Sequence, residues 1–260
     1  MERAMWSSVT GMRASEMSLD NIANNLANIN TTAYKPGKVA FQDMLYTTLT
    51  SPGATNGDSE IPAGIQLGHG TKVAEISKQF TQGALRETGG DLDLAIEGQG
   101  FFEVVMPDGT SAYTRDGSFR ATSTGDVVTV EGYRVANFPS IPSGTTEITI
   151  APDGSVTMLV NGSMVSGEQI SLARFANPEG LRSMGHNLYM ETDASGTAET
   201  GLTPGEDGMG QIMQRYLETS SVNAAEELVN MILTQRAYEA NSKAIQASDD
   251  MSSIANNLKR

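Results

Sequence analysis

Residues 220–258 contain neither Gly nor Pro, in a chain of 260 residues that carries 27 Gly and 9 Pro. Ala, Leu, Met, Glu, Gln and Lys dominate this stretch, and all are strong helix formers. Ser220 and Ser221 are candidate N-caps, and Glu226 and Glu227 lie where the positive end of a helix favours acids. Ala237, Ala240, Ala244, Ala247, Met251, Ile254 and Leu258 recur at gaps of three and four, which is a heptad seam. Upstream, Val222, Ala225, Val229 and Ile232 keep the rhythm, with a slip of one position near Leu233. Such a slip suits a long helix that changes partners along its length. So much Ala in a seam allows helix backbones to approach closely.

The other end of the chain carries the same pattern. Met5, Ser8, Met12, Ser15, Leu19, Ile22, Leu26 and Ile29 alternate at threes and fours. The string Ile-Ala-Asn-Asn-Leu occurs at 22–26 and again at 254–258. A first helix is expected over Ala4–Ile29, ended by Asn30, Thr31 and Thr32 and barred from continuing by Lys35-Pro36-Gly37. The two ends are expected to pair, with everything between them inserted into that pair.

The insertion has two characters. Val39–Leu49, with Phe41, Leu45 and Leu49 at spacing four, reads as a brief helix or an extended arm. Thr50–Gly70 holds five Gly and two Pro, which rules out regular structure for most of it. It reads either as a flexible linker or as an arm that orders against a neighbour; Ile61, Ile65 and Leu67 favour the arm. From Thr71 to Glu191 the pattern turns to β. Asp91–Ile96 alternates with period two, and short apolar runs follow at Phe101–Val105, Ala112–Arg115, Asp126–Val130, Tyr133–Phe138, Glu147–Ile150, Ser155–Val160, Gln169–Phe175 and Asn187–Met190. Pro107-Asp-Gly-Thr110, Asp116-Gly117 and Pro152-Asp-Gly-Ser155 supply turns. Thr192–Gly210 reads as a return linker.

Charge and composition exclude several functions. Lys and Arg total 17 against 31 Asp and Glu, a net charge of −14, which disfavours nucleic acid and anionic membrane as partners. With no Cys, thiol chemistry and disulfides are out. The first residues hold no apolar run of signal-peptide length, and no segment is apolar enough to span a membrane, so export without a cleaved signal is expected for any role outside the cytosol. The two His, His69 and His186, have no neighbours at metal-ligand spacing. Gly98-Gln-Gly100 lacks the third Gly of a dinucleotide fingerprint and precedes a strand, and Asp91 and Asp93 fall on the polar face of one. No enzyme activity, cofactor or metal is expected.

Several blocks resemble bacterial flagellar rod and hook proteins. Ser18–Lys35 is similar to their N-terminal signature, and Asp91–Val104 to the first strand of their β domain. Tyr113-Thr-Arg-Asp-Gly-Ser-Phe119 and Asn187-Leu-Tyr189 match further blocks; Leu217–Ile232 and Gln235–Ile245 resemble the C-terminal one. The family usually places Gly where Ala33 stands, which bears on the turn geometry there. Within the family, the arm at 46–70 and the lack of an added outer domain point to the distal part of the rod.

The resemblance implies a structural subunit that polymerises into a rigid driveshaft and transmits torque to the hook. It implies the flagellar basal body as location, spanning the periplasm toward the outer membrane. The implied partners are further copies of the chain, the proximal rod protein, the hook protein, the surrounding L and P ring proteins and the flagellar type III export apparatus. Rival readings are a proximal rod or hook subunit, a secreted carbohydrate-binding β-domain with trimerising helices, and, least favoured, a peptidoglycan hydrolase.

The expected fold class is α+β: terminal helices pairing as a coiled-coil domain (1–35 and 211–260), an extended arm (36–70) and an all-β outer domain (71–210). The expected assembly residues are Leu19, Ile22, Leu26, Ile29, Val222, Val229, Ile232, Ala237, Ala244, Met251, Ile254 and Leu258, with arm contacts from Ile61, Ile65 and Leu67. Both termini are expected to be disordered in the free chain and to fold on assembly, because lone helices are marginal in water.

Overall fold

The computed structural model describes residues 2–51, 55–56, 59–60 and 63–257. The chain is α+β, with a helix at each end and a β-rich middle. It divides into two compact units. One comprises Met1–Ala27, Gly37–Ser77 and Asn223–Arg260; the other comprises Asn28–Pro36 and Lys78–Val222.

In the first unit, helix α1 spans Glu2–Ala27 and helix α2 spans Ala224–Asn257. The start of α2 corrects the expected N-caps. Asn223 caps it: its Oδ1 accepts from the backbone N–H of Ala225 at 3.1 Å and of Glu226 at 3.5 Å. Ser221 is occupied elsewhere, its N–H donating to the Tyr34 carbonyl at 3.2 Å in the second unit.

The helices run antiparallel. A Cβ placed on Gly11 would lie 2.9 Å from Nδ2 of Asn241, so this Gly gives up helix propensity for close approach. Fourteen residues further along α1, Asn25 Nδ2 donates to Oε1 of Glu227 at 2.9 Å, fourteen residues earlier in α2.

The rest of this unit is β. Gly37–Asp43 and Thr71–Lys78 form one two-stranded sheet, and Tyr46–Thr50 pairs antiparallel with Ile65–Gly68, Thr47 opposite Leu67. A two-residue pairing, Thr55–Asn56 with Ser59–Glu60, lies between the latter strands in sequence. Tyr46–Thr50 and Ile65–Gly68 of the expected arm are therefore paired strands, and Val39–Leu49 is strand on either side of Met44 and Leu45 rather than helix. Pro52, Gly53, Gly57 and Pro62 fall between the two long strands in sequence, which leaves Ile65-Gln-Leu-Gly68 free of Pro and able to complete a ladder.

The second unit is a β domain. Its largest sheet has seven strands in the order Arg120–Ala121, Val127–Val128, Arg134–Val135, Phe102–Val105, Ser111–Thr114, Leu188–Met190 and Arg182–Gly185. Thr145–Ile150, Val156–Val160 and Ser163–Ser166 form a second sheet of three. Each expected β run overlaps a strand, although Asp91 and Leu92 of the first form a turn before Leu94–Glu97. The expected boundaries at 71 and 211 move because of pairing partners: Thr71–Lys78 joins Gly37–Asp43, while Gln211–Gln214 pairs with Leu94–Glu97 and Tyr216–Glu218 with Leu85–Glu87. The expected return linker also contributes a strand, Glu199–Leu202, against Leu172–Arg174.

Strands with one buried face build the core here together with Leu94–Glu97, which buries Leu94, Ala95 and Ile96 in succession. Leu94, Ile96, Phe102, Val127, Ile170 and Ile212 are among its fully buried members. Each such side chain contributes about 1.5–3 kcal/mol by leaving water. A second cluster packs Phe101, Tyr113, Phe175 and Tyr189 edge to face, with ring centres 4.8 Å apart for Tyr113 and Phe175. The three Asp-Gly turns close through their aspartates. Asp108, Asp116 and Asp153 each accept from the backbone N–H and hydroxyl of the residue two positions on.

Candidate assembly surface

The segments that follow α1 and precede α2 in sequence meet inside the second unit. The Ala33 N–H donates to the Glu218 carbonyl at 2.8 Å. Beneath them lies a charge cluster that composition did not reveal. Glu218 accepts from Lys35 Nζ on Oε1 and, at 2.9 Å, from Arg115 Nε on Oε2, and both carboxylate and ammonium are wholly buried. The Gly83 N–H gives the carboxylate its third bond, also on Oε1, at 2.8 Å. Lys35 also donates to the Thr81 carbonyl at 2.6 Å. The Arg115 guanidinium donates to the carbonyls of Gly100 at 3.0 Å, Gly98 at 3.0 Å and Ile96 at 3.2 Å.

Two cations and one anion share this site, and the carbonyl ring offsets the excess positive charge. Burial raises the Glu218 carboxyl, but the Arg115 and Lys35 cations and the Gly83 N–H outweigh it and hold the group below the usual carboxylate range. Burial pulls the Lys35 ammonium below its ordinary value against the attraction of Glu218. The cluster thus ties together Ala33-Tyr34-Lys35, the Gly98-Gln-Gly100 turn, the end of the Ser111–Thr114 strand and the lead-in to α2. Gly98 (φ 118) and Gly100 (φ 139) have left-handed backbone geometry, consistent with the turn that aims their carbonyls at Arg115. Ala33 keeps a left-handed φ of 53 despite its methyl group, so the turn survives the missing Gly.

In the first unit the chemistry is apolar and open. α2 turns toward α1 a face of Ala224, Glu227, Met231, Thr234, Asn241, Ile245 and Ser248, all buried or half-buried and spaced at threes, fours and sevens. That face is mixed and largely polar. The expected seam sits elsewhere: Ala237, Ala240, Ala244 and Ala247 are exposed, as are Val229 at 56%, Ile232 at 52%, Met251 at 52% and Ile254 at 58%. Ala240 neighbours Asn241, so the seam lies about 100° round the helix from the face that meets α1. On α1 the seam behaves differently. Ile22 is buried, and Leu19 and Leu26 are half-buried.

Ile29 and Val222, expected on helices, belong instead to the second unit and are half-buried there. Ile65 and Leu67 are exposed on the hairpin, with Tyr46 and Leu49 of the facing strand. Ile61 and Leu258 fall outside the described residues.

Sequence reading missed Lys35, Arg115 and Glu218. Each follows closely on an aromatic or apolar residue, at Tyr34-Lys35, Tyr113-Thr-Arg115 and Leu217-Glu218, but polar or turn residues come next, so no local pattern singles them out. It also missed the polar face of α2, because an apolar seam outweighs a polar one in any periodicity count. Among the described residues no cluster of metal-ligating side chains occurs, and no helix is long and apolar enough to cross a membrane.

Three family descriptions match the chain: "Flagella basal body rod protein" over residues 5–35, "Flagellar hook protein FlgE/F/G D1 domain" over 95–158 and "Flagellar basal body rod FlgEFG protein C-terminal" over 213–258. The chain is 46% identical over 265 residues to the flagellar basal-body rod protein FlgG of Borreliella burgdorferi, with 100% of each chain covered. It is 46% identical to that of Buchnera aphidicola subsp. Acyrthosiphon pisum, covering 95% of this chain and 96% of that one. Against that of Bacillus subtilis the identity is 38%, with 100% of each covered.

Proposed function

The chain belongs to the flagellar basal-body rod protein family, and from that premise we propose that it builds the distal rod by packing α2 against α1 and α2 of further copies. It is a structural subunit of the flagellar basal body. One observation carries the packing mode. Val229, Ile232, Leu233, Met251 and Ile254 all stand more than half exposed along one long helix whose opposing helix takes a polar face. An apolar stripe of that length is a docking surface for like helices, since lone apolar faces in water are costly. The Ala positions between them let neighbouring backbones come close, as in a supercoiled bundle.

In this reading α1 and α2 of successive copies line a tube as coiled coils. The hairpin of Tyr46–Thr50 and Ile65–Gly68 lodges against a neighbour through Tyr46, Leu49, Ile65 and Leu67, and stiffens the tube. The tube crosses the periplasm within the L and P rings. The proximal rod protein lies below it and the hook protein above, and subunits arrive through the type III export apparatus. Electron microscopy of the purified chain at rising concentration tests this: open-ended tubes are expected. A discrete oligomer of fixed mass would contradict it. Deleting residues 50–65 should leave assembly intact and make the tubes bend more easily.

A further inference from the structure

The helix pair presents a puzzle. Burial of apolar surface alone would rotate α2 by about 100° and press Val229, Ile232, Ala237, Ala244 and Met251 onto its own α1. The structure instead turns inward a face that carries Thr234, Asn241 and Ser248 beside Met231 and Ile245. Something with a strict geometric demand must hold that orientation.

Asn25 has such a demand. Its side chain is 1% exposed, the least of any residue on α1. Its Nδ2 donates to the Gly37 carbonyl at 2.9 Å and to Glu227 Oε1 at 2.9 Å, and its Oδ1 accepts the Gly37 N–H at 2.9 Å. Asn21 Nδ2 joins at the Gly37 carbonyl, 2.7 Å away. A Cβ on Gly37 would lie 2.4 Å from Asn21 Oδ1, so the backbone comes as near as a side chain allows. One amide thus fixes three things: α1, the first residue of the Gly37–Asp43 strand, and the first turn of α2 through Glu227. Rotating α2 would carry Glu227 away and break the hydrogen bond between a buried amide and a carboxylate, and bonds to charged groups are among the stronger ones.

We propose that Asn25 and Glu227 form an orientation lock that keeps the apolar seam of α2 facing outward, available to a second copy of this chain. This rests on the reading of that seam as the assembly surface and names the residues that keep it accessible. Buried Asn residues specify register in helical assemblies at some cost in stability, and here the same chemistry specifies which face is spent inside the subunit. Asn25 is a positioning residue: it acts on the seam through Glu227.

The chain has no Cys, so introduced pairs report cleanly. Gly11→Cys with Asn241→Cys reads the observed face, and Gly11→Cys with Ala240→Cys reads the rotated one. Each pair is equilibrated in dilute glutathione buffer, and the intrachain disulfide is quantified by mass. Their ratio reports the relative occupancy of the two faces even where the helices are partly unfolded. With Asn25 present the observed face should dominate, and Asn25→Leu should shift the ratio toward Ala240→Cys by about tenfold, a factor worth about 1.4 kcal/mol. An unchanged ratio overturns the lock.

Should Asn25→Leu abolish both disulfides, Glu227→Leu decides in its place. It should move the ratio in the same direction by about threefold, and no movement overturns the proposal. Sedimentation of the Cys-free chain separates the two claims. A chain that assembles while the ratio ignores Asn25 refutes the lock alone, whereas a chain that never assembles refutes the assembly reading and leaves the ratio to judge the lock.

Discussion

Large apolar side chains meet opposite fates in the two units. Between Lys78 and Val222 they go inside: Leu94, Ile96, Phe102 and Ile212 have almost no exposed surface, and only Val105, Val130, Met164, Val165 and Met184 stand out among the described residues. In the helices and hairpin the order reverses. There Trp6, Phe41, Leu45, Leu49, Ile65, Leu233 and Ile254 are exposed, while Ala14 and Ile22 are the described apolar residues that reach full burial. One unit buries its large apolar side chains, and the other leaves most of its own exposed. In the proposed assembly, stability and function then lie in separate parts of one chain: the β unit has its own core and buried ion cluster, and the helix pair would gain most of its stability from neighbouring copies.

The sharpest way to break this contrast is at Glu218. Glu218→Gln leaves Lys35 and Arg115 buried without an anion, which should cost the β unit about 3–5 kcal/mol. Thermal unfolding of the free chain should show a large drop in Tm. A drop of a degree or two would mean the cluster is solvated and unimportant.

Ala244→Asp is the complementary change. Ala244 is exposed in the single chain, so the fold should be untouched, and the circular dichroism of the β unit should match the parent. On assembly the new charge becomes buried and unpaired, and polymer formation should cease at any accessible concentration. Normal polymerisation of this variant would remove the outward seam from the account.

Acid should act on the β unit through the same cluster. The Glu218 carboxyl is held below the ordinary 4.5 in the folded chain, so the folded state resists protonation that the unfolded state accepts. Its stabilisation is complete above pH of about 4.5 and is lost as pH falls through the folded value. Guanidinium titrations at pH 7 and pH 3 should show the midpoint falling, and Glu218→Gln should flatten the slope.

The smallest effect is at Ala33. Relief of its left-handed backbone by Ala33→Gly is worth about 1 kcal/mol. Loss of its buried methyl costs about 0.8 kcal/mol. The two nearly cancel, so the Tm should stay within about two degrees, and a change beyond five degrees would show that one of these opposing effects is misjudged.

Much of this architecture was legible from residue order. Helices betray themselves through spacing over many turns, and 220–258 had no breaker to confuse it. The β runs and their Asp-Gly turns were equally plain, because each turn is a local device. What escaped was everything decided by long-range partners. Lys35, Arg115 and Glu218 are far apart in sequence, and nothing local marks them as a triad. Thr71–Lys78 and Gln211–Gln214 changed units according to the strand each found. The face of α2 that meets α1 was not legible for a related reason. Periodicity shows that an apolar seam exists but not whether it is used within the chain or saved for another. Asn25 and Glu227, which bear on that choice, read in sequence as ordinary polar helix residues.

Hydrogen exchange on the free chain and on assembled polymer tests the division of labour most directly. Amides of Phe102–Val105, Ser111–Thr114 and Leu188–Met190 should be strongly protected in both states. Those of 19–27 and 229–257 should exchange quickly in the free chain and slow by orders of magnitude in the polymer. Strong protection of both helices before any assembly would show that they are stable without neighbours, and would contradict the account.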